Sequence, residues 1–160
     1  MAIRASINRG LPSQLQSAFS DVVPVLRPSQ IDYKIKDPQW LAGFTSGEGS
    51  FFIRIIASTT SSLGFIVKLV FKFGQHSREE ILIKSFIDYF DCGHVTLWKN
   101  EVVFNVTKLS DIVNKIIPFY RKYGIIGGKL KDFSDWSTVA EMMLKKEHLT
   151  QEGLEQIPPV

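Results

Sequence analysis

Odd-numbered positions are apolar without exception in two stretches, Phe51, Ile53 and Ile55, then Phe65, Val67, Leu69, Phe71 and Phe73. Side chains alternate across a β-strand, so this parity defines one face to be buried and one to be left open. Ser50 to Ile56 and Phe65 to Phe73 flank a polar segment, Ser58 to Ser62, and read as two strands of a hairpin. A second hairpin is expected from 94–98 and 102–107, turning at Lys99-Asn100. There Val95, Leu97, Val102, Phe104 and Val106 point inward, while Thr96, Trp98, Val103, Asn105 and Thr107 point outward. The result is a four-stranded antiparallel sheet that must be covered by helices on one face.

The helices are marked by their ends. Asp37 suits an N-cap and Pro38 the first helical position, whose N–H would have no partner. This opens a helix over 38–47. Ser77 and Glu80 form a capping box for a helix running to about Phe90 and stopping at Cys92-Gly93. Ser110 starts a helix interrupted near Pro118, Gly127-Gly128 breaks the chain, Lys129 to about Lys146 is strongly helical, and a short helix follows Thr150. Helix, strand, strand, helix, strand, strand, helices is an α+β order. Residues 1–37, with prolines at 12, 24 and 28 and a short helix around Gln14 to Phe19, read as an arm or linker before a domain at 38–160.

The 160 residues, 44% hydrophobic, suffice for one core. No apolar run approaches the ~20 residues of a membrane span, so no membrane partner is expected. Cys92 is the only cysteine, which excludes an internal disulfide, points to a reducing, intracellular setting, and fits a small buried hydrophobe. Arg4 and Arg9 in an acid-free first twenty residues resemble a transit peptide, but no cleavage site is evident and none is assigned. Nineteen Lys and Arg against sixteen Asp and Glu is a weak excess, so the distribution of charge matters more than its sum.

Two features stand out in that distribution. Ala42 and Ser46, and Gly43 and Gly47, are each four apart, so small residues line a face of the first helix, where another backbone could come close. Glu48 then lies at the negative end of the helix dipole. The pattern also fits an ordinary helix ended by its glycines, with Glu48 solvated. If the partner is a copy of this helix, two carboxylates at roughly 6 Å repel by about 3 kcal/mol at an effective dielectric of about 20. A divalent cation removes that cost, and Mg²⁺ accepts one or two carboxylates plus phosphate oxygens.

The second feature is the open face. Gly49 to Arg78 contains no acid, and Arg54, Lys68 and Lys72 share the outward parity. Ser50, Phe52, Ile56, Ile66 and Val70 lie between them, and Thr96, Trp98, Val103 and Asn105 extend the surface. Strands can lie in a DNA major groove, where Arg and Lys read guanine, Asn reads adenine and apolar groups touch the thymine methyl. Double-stranded DNA is the expected partner; a solvated outer face is the competing reading.

Trp40-Leu41-Ala42-Gly43-Phe44-Thr45-Ser46-Gly47-Glu48-Gly49-Ser50-Phe51 resembles the motif of the LAGLIDADG homing endonucleases. The likeness continues through Phe73-Gly74-Gln75-His76, Asp91-Cys92-Gly93, Val106-Thr107-Lys108, Lys115-Ile116-Ile117-Pro118-Phe119 and Gly128-Lys129-Leu130-Lys131-Asp132-Phe133. It implies an αββαββα saddle and a metal-dependent DNA endonuclease that leaves staggered ends. It also implies pairing of two motif helices, here through Leu41, Ala42, Gly43, Phe44, Ser46 and Gly47. Glu48 and the Gly47 carbonyl would bind Mg²⁺ or Mn²⁺, with Ca²⁺ binding but not supporting cleavage. Gln75 and Lys129 match positions that order water or approach phosphates. His76, His94 and His148 have no recognisable ligand spacing and receive no role.

The chain holds one motif and is similar to the C-terminal half of two-motif members, with residues 3–28 similar to the linker joining the halves. Activity therefore implies a homodimer on a palindromic or near-palindromic site, or a different partner half. A non-cleaving DNA-binding or RNA-splicing maturase module is the alternative. The resemblance also implies an intron-encoded, mitochondrial protein.

Overall fold

The computed structural model describes residues 13–21 and 34–158. The chain divides into two compact units, Met1–Asp32 and Tyr33–Val160. In the first, α1 (Ser13–Ala18) occupies the place of the expected short helix, and the rest of the linker-like stretch 3–28, apart from 19–21, lies outside the described residues. The second unit takes in residues 34–37, and Ile35 packs against its core.

The second unit runs α2 (Pro38–Glu48), β1 (Gly49–Ala57), β2 (Phe65–His76), α3 (Glu80–Phe90), β3 (His94–Trp98), β4 (Glu101–Val106), α4 (Leu109–Asp111), α5 (Ile117–Tyr123), α6 (Lys129–Leu144) and α7 (Gln151–Glu155). All strand pairs are antiparallel, in the order β1-β2-β4-β3. This is the expected α+β architecture. Among the described residues no helix is long and apolar enough to cross a membrane.

Most helix ends follow from the sequence. The Asp37 carboxylate accepts from Gln39 N at 2.8 Å, and Thr150 caps α7 by accepting from Gly153 N. The expected Ser77 cap does not form, because β2 runs on to His76 and the Ser77 N–H is committed to Asn100 O at 2.7 Å. The His76 imidazole caps a 3₁₀ turn, Ser77–Glu79, instead, accepting from Arg78 N. Asp91 closes α3 in the left-handed region at φ 49°. Lys115 holds it by donating to its carbonyl and to its carboxylate, and that hydrogen bond and charge keep the Asp91 carboxyl below the usual range.

Pro118 does not break its helix. A π-helical turn, Ile112–Ile116, joins α4 to α5, with Ile117 N–H donating to Ile112 O. Proline lacks a donor and its ring crowds the carbonyl four residues back, so a widened turn is a way to carry the chain past it.

The core lies between the sheet and the helices, with Leu41, Phe71, Phe86, Phe104 and Trp136 at 0% exposure. Phe51 packs on Phe71, Phe133 and Trp136 at ring separations of 5.2 Å each. Cys92 is buried, as expected of a small hydrophobe, and burial pushes its thiol up. The inward parity fails at the hairpin ends. Ile55 and Phe65 are 46% exposed and Leu97 55%, because these residues stand near the strand ends and are not covered as the middle of the sheet is.

One polar pair sits inside this core. Thr45 and Tyr120, 0% and 1% exposed, share a hydroxyl hydrogen bond of 2.7 Å, and burial pushes the Tyr120 phenol far above its usual range. Thr45→Val leaves the phenol without that partner and is expected to cost about 1–3 kcal/mol in urea denaturation. Adding Tyr120→Phe should recover part of the loss, since neither polar group then remains.

Candidate active site and nucleic-acid interface

The rotation of α2 about its axis sorts its residues. Leu41, Ala42 and Thr45 are buried in their own protomer, whereas Gln39, Trp40, Gly43, Gly47 and Glu48 are exposed. The expected pairing face is thereby corrected, because Leu41 and Ala42 belong to the core and cannot meet another chain. Ser46 is half-committed as well: its hydroxyl donates to Ala42 O at 2.8 Å and accepts from Ile126 N at 3.0 Å. The Gly43–Gly47 row is what remains open, for a Cβ added at either position would meet nothing within 4 Å. Phe44 is half-buried, stacked between Trp40 and Phe86 at 5.4 and 5.8 Å. Trp40, on the same side, is 46% exposed.

α2 passes directly into β1. Gly49 has room for no side chain, since a Cβ would stand 2.4 Å from Thr45 Cγ2 and 2.6 Å from Thr45 O. Its N–H caps the helix by donating to Thr45 O. The junction places exposed Glu48 at the end of the sheet, because Gly49 is paired with Phe73. The Gly47 carbonyl is among the last of the helix, which lack intrahelical donors. Gln75 lies two residues beyond Phe73 and pairs with Val102, so it stands at the same end, half-buried. Lys129, the first residue of α6, lines a groove along the free edge of β1 with Ser50, Phe52, Asp132, Asp135 and Pro158. Among the described residues no three His, Cys, Asp or Glu cluster as a metal site. Glu48 and the Gly47 carbonyl offer one open carboxylate and one helix-end carbonyl, an oxygen donor set that suits a hard cation completing its shell with other ligands.

From that end the outer face of the sheet leads away. Cross-strand partners on it are Ser50 and Lys72, Phe52 and Val70, Arg54 and Lys68, and Ile56 and Ile66. Arg54 and Lys68 are both exposed and directly opposite, an arrangement that is unfavourable between like charges. Lys72 is half-buried, its ammonium over the Phe52 ring at 5.0 Å. Ile56, Ile66 and Trp98 are 43%, 38% and 69% exposed. Ser50, Phe52 and Val103 are partly exposed and Thr96 is exposed.

Two residues depart from expectation. Val70 has the outward parity but is 7% exposed; it sits where β4 leaves β2 and lines, with Thr107, Leu109 and Met143, a recess at the opened edge. Asn105 donates its amide to Thr96 Oγ1 and Val103 O, both at 3.2 Å, so only its carbonyl oxygen is offered outward.

The four antiparallel strands thus carry a cationic outer face, and the helix–strand junction at one end carries an exposed acid. Residues 41–140 match the LAGLIDADG endonuclease family. The chain is 38% identical over 158 residues to probable intron-encoded endonuclease 3 of Neurospora crassa, covering 97% of this chain and 30% of that one. A weaker relative, an uncharacterized 50.9 kDa protein in ND4 intron 1 of Podospora anserina, is 26% identical over 72% of this chain and 26% of its own. The fold superposes on the I-SmaMI LAGLIDADG homing endonuclease bound to cleaved DNA with a TM-score of 0.83 and 45% identity, covering 96% of this chain and 52% of that one. I-SmaMI has also been crystallised on an uncleaved DNA target in the presence of calcium ions.

This chain therefore belongs to the LAGLIDADG endonuclease family. It spans less than a third of each of these two relatives and about half of the solved structure.

Proposed function

We propose that this chain is one half of a sequence-specific, divalent-metal-dependent endonuclease that hydrolyses both strands of double-stranded DNA, acting as a homodimer on a near-palindromic site. The observation that carries the reading is the exposed Arg54–Lys68 pair on an acid-free stretch of sheet that begins directly after Glu48. Like charges held opposite one another gain when a polyanion lies across them. Lys72, set over Phe52, is presented with less freedom to lose, and Ile56, Ile66 and Trp98 supply apolar area suited to base edges and sugars.

Glu48 and the Gly47 carbonyl would hold the cation, Mg²⁺ or Mn²⁺. Once bound, such a cation supplies an activated water and neutralises the leaving oxygen. Gln75 at the same end would orient water, and Lys129 would offset charge on the phosphate. Ca²⁺ would bind without supporting cleavage, a view in keeping with the uncleaved I-SmaMI complex. The intron-encoded name of one relative and the ND4 intron of another support an intron-encoded, mitochondrial setting for this chain as well.

A different partner half is the second reading, favoured by the chain's covering 52% of the solved relative. A non-cleaving DNA-binding module or RNA-splicing maturase on the same fold is less well supported, since Glu48, Gln75 and Lys129 are all present.

Glu48→Gln should abolish Mg²⁺-dependent cutting of a selected site while leaving binding within about threefold; efficient cutting by that variant refutes the role. Lys68→Ala and Lys72→Ala should each lower the slope of log affinity against log salt by about one if they meet phosphate, or relax one base pair if they read guanine. Unchanged affinity and specificity in a filter-binding titration would place the binding face elsewhere. In sedimentation, the chain should dimerise and Gly43→Leu, whose side chain has open space within the protomer, should remain folded and monomeric. A parent chain that is monomeric at every concentration sinks the homodimer and leaves the different partner half.

A further inference from the structure

The same end of the sheet carries an acid that neither the strand pattern nor the motif singled out. Glu101 opens β4 directly opposite His76 of β2 and Trp98 of β3, and so has the outward parity of Val103 and Asn105. Its carboxylate folds back over β2, where Oε1 lies 2.5 Å from the position a Cβ on Gly74 would take. Glycine at 74 is thus what leaves room for it. Glu101 is exposed and takes part in no ion pair among the described residues. The nearby cation, Lys99, is turned onto the Trp98 ring at 5.1 Å, and His76 spends Nδ1 on the Arg78 N–H.

A bare carboxylate on a surface built to meet phosphates is repelled unless it meets a hydrogen-bond donor. Carboxylates only accept, and in the major groove cytosine presents the N4 amino group with no acceptor beside it on its own base, whereas the N6 donor of adenine adjoins the N7 acceptor. Guanine and thymine offer acceptors there.

Position along the groove follows from the register. Lys68 and His76 are eight residues apart on β2, roughly 26 Å at a strand rise of about 3.3 Å, or about eight base pairs at roughly 3.4 Å each. Arg54 and Lys68 thus face the outer part of a site, and Glu101 its inner part, level with the Glu48 end.

We propose that Glu101 is a specificity residue that accepts from a cytosine amino group at an inner base pair of each half-site, in the space left by Gly74. The inference rests on the DNA-endonuclease reading and adds the base class read at one position. Its test is selection of bound duplexes from a random DNA library, in Ca²⁺, by the full chain and by Glu101→Gln, Glu101→Ala and Gly74→Ala, with thermal melts to confirm that each variant folds.

The parent should enrich cytosine at one inner position by about tenfold over the other bases. Glu101→Gln should transfer the preference toward adenine and Glu101→Ala should remove it, with the outer positions unchanged. Gly74→Ala, which keeps the charge but displaces the carboxylate, should weaken the same position. An identical base profile in all four proteins overturns the assignment, as does a change in affinity spread evenly over all positions. If the parent enriches no sequence at all, the sequence-specific reading itself fails, and the assignment falls with it.

Discussion

The buried face of α2 is the constraint on which the rest depends. Leu41, Ala42 and Thr45 lock that helix into its own protomer, and the Thr45–Tyr120 hydrogen bond fixes its rotation with a directional contact that apolar packing alone would not supply. Only one rotation leaves Gly43 and Gly47 turned outward and delivers Glu48 to the sheet at the point where Gly49 can pair with Phe73. The small residue at 49 matters equally, because any Cβ there would collide with Thr45 and open the helix–strand junction. Glu48 is therefore positioned by neutral core residues.

The sheet divides labour between its faces in a comparable way. Aromatic rings around Phe51, Phe71 and Phe104 pack the inner face, while antiparallel pairing of β1 with β2 holds the exposed cations in register on the outer one. Holding Arg54 opposite Lys68 costs stability in the free protein, and that cost is what a polyanion would relieve.

Much of this was legible in the chain. Period-two alternation identified both hairpins and their faces, Asp37 and Thr150 marked helix starts, and the motif located Glu48. Where alternation misled, geometry beyond the single strand was responsible. Ile55, Phe65 and Leu97 follow the inward rule yet stand where cover runs out, and Val70 follows the outward rule yet is buried beside the point where two strands separate. The capping box at Ser77 failed for a similar reason, since a longer strand claimed its backbone first. Glu101 escaped notice because nothing in its sequence neighbours marks it, and its significance depends on a glycine in another strand.

The sequence by itself determined the element order, the α+β class, the cationic outer face and the acid ending the first helix, because these follow from side-chain periodicity and charge along short stretches. Only the tertiary structure decided which side of α2 faces outward, that Leu41 and Ala42 serve the core, and that Asn105 spends its amide on Thr96 and Val103 along the outer face. Those outcomes depend on contacts between residues far apart in the chain, such as Thr45 with Tyr120 and Ser46 with Ile126, whose energies no local pattern encodes.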